Sequence, residues 1–465
     1  MRGVRLFLSA AMPIGLSLAA GFGFCDQLGA RVVETKLGAY DKHDPDDEAS
    51  SLDGHHLAYA LPREDKWVAV VDGVAGPLYD RVRTPVFSAD GRRVAYVASQ
   101  ALFQEVAVVD GIAGPKYDIV WGPVVFSADG RRVGYTASEN GKEVAVVDGV
   151  AGPDFDSINL GGVAFSADGR RVAYAGSKGN QWFVMVDGVP GQPYDFVLWP
   201  TLSADGKRVA YLAANRRKWL VVVDAIPGPE WDEAWAPVLS ARGRRVAYEA
   251  RQGDKHRVVV DGVPGPEYDD IGGLLFSADG RRVAYEARQG DRHLVVVDGV
   301  PGPEYNGIAP SGPAFSADGR RVAYAAERGD MMLVVVDGVP GPEYDDIGKS
   351  GPVFSPNGRR VAYAAQHGDK WLVVVDGVAS PEYDDIGGLR FSPDGRRVAY
   401  VANTGAKTQW LGPPQGGKWF VVVDGVSGPE YDLIIENGPS FSPDGTLEYL
   451  AVKGGDLYRV KHIPQ

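Results

Sequence analysis

Residues 313–347 read PAFSADGRRVAYAAERGDMMLVVVDGVPGPEYDDI. Three turn signals cut this stretch into four short β-forming runs. Pro313–Ser316 is a first strand, and Ala317-Asp318-Gly319 turns the chain. Arg321–Ala326 is a second strand, ended by Arg328-Gly329-Asp330. Met332–Val336 is a third strand, apolar on both faces and therefore expected between neighbouring layers. Asp337-Gly338 suits a tight hairpin. Gly341 and Pro342 then hold an irregular approach to a fourth strand over Glu343–Ile347. No helical period competes with this reading. Four antiparallel strands in under forty residues are one propeller blade.

The phrase recurs along the whole chain of 465 residues. Its opening serines are Ser51, Ser88, Ser127, Ser166, Ser203, Ser240, Ser277, Ser316, Ser355, Ser392 and Ser442. Most steps are 37 or 39 residues, and the last is 50. A fixed period of this size marks a repeat fold, because one unit cannot bury both of its faces alone. The fold class is all-β, a propeller of about eleven repeats over residues 30–465. The even spacing from Ser51 to Ser392 favours a single large ring, with two tandem propellers as the alternative. The last unit stops after its third strand, while Gly38-Ala39-Tyr40-Asp41 echoes the G-P-x-Y-D ending. The N-terminal segment is therefore expected to supply the missing outer strand and hide two sheet edges.

Arg2 and Arg5 precede an apolar run, Leu6–Ala20, followed by small residues. This reads as a signal peptide over residues 1–21 and places the protein in the periplasm or outside the cell. A membrane-tethering anchor is the alternative reading of that run, and no later stretch is long and apolar enough to span a membrane. Cys25 is the sole cysteine, which rules out an intrachain disulfide. It follows the apolar run, where a lipidated cysteine would stand, but Phe24 before it is bulky where such signals want Gly or Ala. The formal charge of −13 argues against nucleic acid or an anionic membrane as partner.

The motif F-S-P-D-G-R-R-V-A-Y, as at Phe391–Tyr400, resembles the TolB-type, WD-like β-propeller repeat of bacterial envelope proteins. The resemblance covers roughly residues 30–465 and rests on its many recurrences. It implies blades of the kind found in envelope scaffolds, in the gating propellers of prolyl-oligopeptidase-like peptidases and in some polysaccharide lyases. TolB carries a separate α/β domain before its propeller, for which no room is seen before Ser51.

Several motifs read first as structure. The aspartate of S-x-D-G (for example Asp90, Asp129, Asp318 and Asp394) suits a turn that bonds its own backbone. Arg242 and Asn357 replace it in two copies. The Arg-Arg pairs that follow are expected to meet recurring acids such as the aspartate of Y-D. His256 and His293 share a slot at the start of the third strand that Trp, Glu or Met fills elsewhere, so packing is the simpler reading there. Asp44, Asp46, Asp47 and Glu48 lack the spacing of a calcium loop. No nucleophile elbow or H-E-x-x-H motif occurs. No catalytic residue, metal or cofactor is assigned.

Function is expected where the copies differ. The S-x-D-G turn and the D-G-V-x-G-P segment barely change. The loop between strands two and three and the connection between blades change freely, and strand alternation puts both on one face. Trp121, Trp199 and Trp235 fall in the inter-blade connections, with Asp270, Asp346 and Asp385 in the same place in later units. Trp67, Trp182, Trp219, Trp371 and Trp419 open third strands. These aromatics are either flat platforms for a ligand or packing caps. The tenth unit alone carries an insertion, Thr404–Gly417, with Trp410 in it. The reading is a non-catalytic, exported binding or scaffold protein for a protein or envelope glycan. The alternative is a polysaccharide lyase or hydrolase acting at the channel mouth.

Overall fold

A computed structural model of the chain describes residues 30–39, 48–50, 56–83, 85–159, 161–407, 415–435 and 438–464. The signal-like segment, Cys25, the acidic residues before Glu48 and Trp410 lie outside these. The described residues contain strands and turns but no helix. They form eleven antiparallel sheets, numbered here as blades 1–11 in chain order.

In the blade of the opening quotation, the eighth, the first strand is interrupted: Gly307–Ile308 and Ala314–Phe315 both pair with the second strand, Val322–Arg328. The third strand is Met331–Val336 and the fourth Val339–Tyr344. This corrects the expected fourth strand at Glu343–Ile347. The chain leaves the blade after Tyr344, and Asp346–Ile347 opens the first strand of blade 9. The aspartate between them is the pivot. In blade 9 the Asp345 carboxylate accepts from Gly368 N, in the hairpin of the blade just begun, at 2.6 Å, and in blade 10 Asp384 accepts likewise from Gly405 N.

Eleven hydrophobic clusters fill the eleven junctions, each shared by two neighbouring blades. The cluster of Leu57, Tyr59, Val70, Ile435, Leu450 and Leu457 joins blade 11 to blade 1. The molecule is thus one closed ring, and the tandem-propeller alternative does not hold. The strand Ala30–Ala39 pairs with Asp456–Pro464 as the outer strand of blade 11. First strands of adjacent blades approach one another, which places them innermost.

Most described junctions repeat the same parts, with Phe155 and Trp231 in place of the Y-D tyrosine at two of them. The tyrosine of V-A-Y meets the tyrosine of Y-D from the preceding blade edge to face, as Tyr324 meets Tyr305 at 6.2 Å. The glycine of G-P brings its N–H to a third-strand carbonyl, as Gly152 does to Ala145 at 2.9 Å. A Cβ at Gly302 would lie 2.9 Å from the carbonyl oxygen of Val295, which explains a glycine there. Glycine is replaced in blade 9 by Ser380, which makes the same backbone bond and whose hydroxyl oxygen accepts from Val373 N.

The arginine pairs do not meet the aspartate of Y-D, which lies on the other face. The second arginine pairs with the aspartate of V-V-V-D-G, as Arg321 with Asp337 at 2.8 Å. It also donates to the Arg359 carbonyl of the next blade and lies over the Phe354 ring. The first arginine extends into solvent, 86% exposed at Arg320. The S-x-D-G aspartate is a turn residue: Asp318 Oδ1 accepts from Ser316 Oγ and from Arg320 N. Those bonds hold its carboxyl below the usual carboxylate range.

Candidate functional site

The two kinds of turn sort onto opposite faces. Arg93 of the S-x-D-G-R-R turn pairs with Asp110 of the V-V-V-D-G turn, so the uniform turns share one face. On the other, Asp156 of a blade connection accepts from Gly179 N in a hairpin and pairs with Lys142. The variable segments therefore share a face.

Two of the tryptophans expected in loops, Trp121 and Trp199, lie on the innermost strands, where the ladder is broken. Trp121 is inside the first strand of blade 3, Ile119–Phe126, whose register shifts between Trp121 and Val125. Trp199 is inside that of blade 5, Phe196–Leu202, shifted between Leu198 and Thr201. Such bulges re-aim a side chain out of the sheet. Both indoles stay open, 42% and 44% exposed.

Trp121 and Trp199 line one cavity of about 680 Å³ that crosses blades 3, 4 and 5. Trp182 and Phe196 line it too, with ring centroids 5.1 Å apart and nearly perpendicular planes. Thr136 and Asn159 are among its polar groups. Asn159 is held on both sides: Oδ1 accepts from Gly161 N and Nδ2 donates to the Val197 carbonyl of blade 5. Glu143 accepts from Ile158 N at 2.5 Å, which fixes the start of the blade 4 inner strand.

Backbone conformation sets Trp199 apart. At the corresponding position Gly162, Gly273, Gly312, Gly351, Gly388 and Gly438 have φ between 60° and 64°. Trp199 takes the slot with φ 48°. A bulky side chain is disfavoured in this region, and such outliers gather at functional sites.

Trp235 belongs to a second group. It follows the inner strand Glu233–Ala234 of blade 6, is half-buried, and tilts over His256 with centroids 5.3 Å apart. His256 is more than a packing residue. Its Nδ1 lies 2.6 Å from Glu249 Oε1, on the adjoining second strand. Asp270, from the inner strand of blade 7, completes a set whose ligand-type atoms all lie within 4.8 Å of one another. Burial pushes the Glu249 carboxyl above its ordinary range. His293 repeats the pairing with Glu286 at 2.8 Å.

Asp346 and Asp385 occupy the Asp270 position in blades 9 and 10, and each accepts from the backbone N–H of the next residue. Burial raises the Asp385 carboxyl. Of the five tryptophans that open third strands, Trp67, Trp219 and Trp419 pack against junction clusters, and Trp182 does so while also lining the cavity. The insertion in blade 10 prolongs its hairpin: Thr404 pairs with Lys418 and Lys407 with Gln415.

Glu249 and Glu286 were not singled out from the sequence. A signal existed, since V-A-Y is followed by Glu only in the two units that also carry His seven residues later.

No family model matches the chain, and no curated protein matches it in sequence. Solved structures do resemble it. TolB from Acinetobacter baumannii is 18% identical over 46% of this chain, with a TM-score of 0.27. The chain spans 64% of that TolB's length. A eukaryotic initiation factor is 12% identical over 80% of this chain and 95% of its own, with a TM-score of 0.42. The β-propeller domain of Myceliophteria thermophila Cps50 (Swd1) is 13% identical over 53% and 95%, with a TM-score of 0.26. These scores lie below 0.5, and the propeller is established by the chain's own sheets.

Proposed function

We propose that this protein is an exported, non-catalytic binding module whose ligand seats in the cavity between Trp121 and Trp199. The ligand class is a protein segment or an envelope glycan, either of which offers a flat apolar surface to an indole. The observation that carries this reading is the pair of open indoles on one aromatic-lined cavity of about 680 Å³. Ligand sites are concave and largely apolar, with a few placed polar groups. Export rests on the basic start and apolar run of the first 21 residues, and a reporter fused after residue 40 tests it.

The binding test is capture from envelope extract with the full chain, followed by the Trp121→Ala, Trp199→Ala double variant. Loss of a captured partner, with melting unchanged, supports the site. Retention of every partner at unchanged affinity rejects it. A polysaccharide lyase or hydrolase is the second reading, favoured by the convergence of Glu249, His256 and Asp270. Turnover of a polysaccharide by the wild-type chain, lost in His256→Gln, would establish that reading instead.

A further inference from the structure

We infer that Glu249, His256 and Asp270 form a site for a divalent transition-metal ion, of the Zn2+ or Mn2+ class, at the junction of blades 6 and 7. The three residues come from three strands of two blades, so the site is built on rigid elements rather than on a loop. One ligand atom of each lies within 4.8 Å of the others. Bonds of about 2.0–2.2 Å place ligands on opposite sides of an ion at most about 4.4 Å apart, so small side-chain rotations complete the contact. One imidazole nitrogen with two carboxylates suits Zn2+ or Mn2+. Ca2+ demands six to eight oxygens, which three side chains with one imidazole do not provide.

The other junctions act as internal controls. Leu212, Ala325, Ala364 and Val401 fill the Glu249 position in blades 5, 8, 9 and 10. An apolar residue there packs, as Leu212 does against Val259 and its neighbours. Glu249 instead puts a carboxylate, 14% exposed, beside the carboxylate of Asp270. Two such groups repel, and a charge this buried is costly unless something offsets it. Arg251 is engaged with Glu233 at 2.5 Å, which leaves His256 as the group that meets Glu249. A bound divalent cation would offset both carboxylates. The next junction has Glu286 and His293 but Gly307 where Asp270 stands, leaving two ligands instead of three.

Calorimetric titration of the untagged full chain with Zn2+ alone, then with Mn2+ alone, tests the site. About one ion per chain is expected, with a rise in melting temperature. His256→Gln and Asp270→Asn should each weaken binding at least about tenfold and abolish that rise. His293→Gln should leave both unchanged. Gly307→Asp should add a second ion, since the nearest obstacle to its Cβ is the tip of the flexible Glu327 side chain. Asp270 is exposed, so its variant remains informative if a buried one misfolds. No binding by the wild-type chain, or affinity unchanged in Asp270→Asn, overturns the site.

Discussion

At the residue scale, Trp199 takes a left-handed backbone at a position where six other blades carry glycine. A left-handed backbone costs a non-glycine residue about 1 kcal/mol or more. The strain holds an indole at the cavity where six other blades place glycine. Trp199→Gly should therefore keep or raise stability in urea while removing ligand capture. His462 offers a second test. It is fully buried in blade 11, bonded to Tyr449, and its pKa is lowered to about 4 by burial and then by Arg397. Between pH 6.5 and 4 the unfolded chain binds this proton and the folded chain does not. Stability should thus fall as pH drops through that window, by about 3 kcal/mol from this group. Urea unfolding at pH 7 and pH 4.5 should show the loss in the wild type and a smaller one in His462→Asn.

At the scale of the element, the two adjacent arginines have unequal roles. Arg321 holds Asp337 within its blade and a carbonyl and a ring on the next. Its ion pair is about a third exposed, so solvent screening reduces its value. Arg321→Ala should cost about 1 kcal/mol, counting the lost packing and hydrogen bond. Arg320→Ala should stay within about 0.5 kcal/mol. Equal effects in a denaturation series would contradict this division. Sequence alone placed both arginines beside an acid but selected the wrong one. Register decides which turns share a face, and a few residues of error in the fourth strand moved the aspartate of Y-D.

For the whole molecule, stability is approximately a sum of blade and junction contributions, so the closing junction matters more than its size. Blade 11 takes its outer strand from Ala30–Ala39, and Glu34 accepts a 2.6 Å bond from Tyr431 across that joint. Deleting residues 1–39 should leave the strand Asp456–Pro464 as an open edge. The expected result is a lower melting temperature with concentration-dependent association, partly reversed by a peptide of residues 30–39. A monomeric variant with unchanged melting would show that the strand is dispensable.

The sequence by itself determined the blade, its number of copies and the two faces, because turn chemistry and period-two patterning are local and were repeated eleven times. It also pointed to Trp121, Trp199, Trp235 and Asp270 as departures from the repeat. Only the tertiary structure decided how these departures group. Ring geometry brings Trp121 and Trp199, 78 residues apart, onto one cavity. It sends Trp235 to His256 and carries Asp270 across a blade boundary to Glu249. Those distances follow from bulges in the inner strands and from closure of the ring, and neither is encoded within a single repeat.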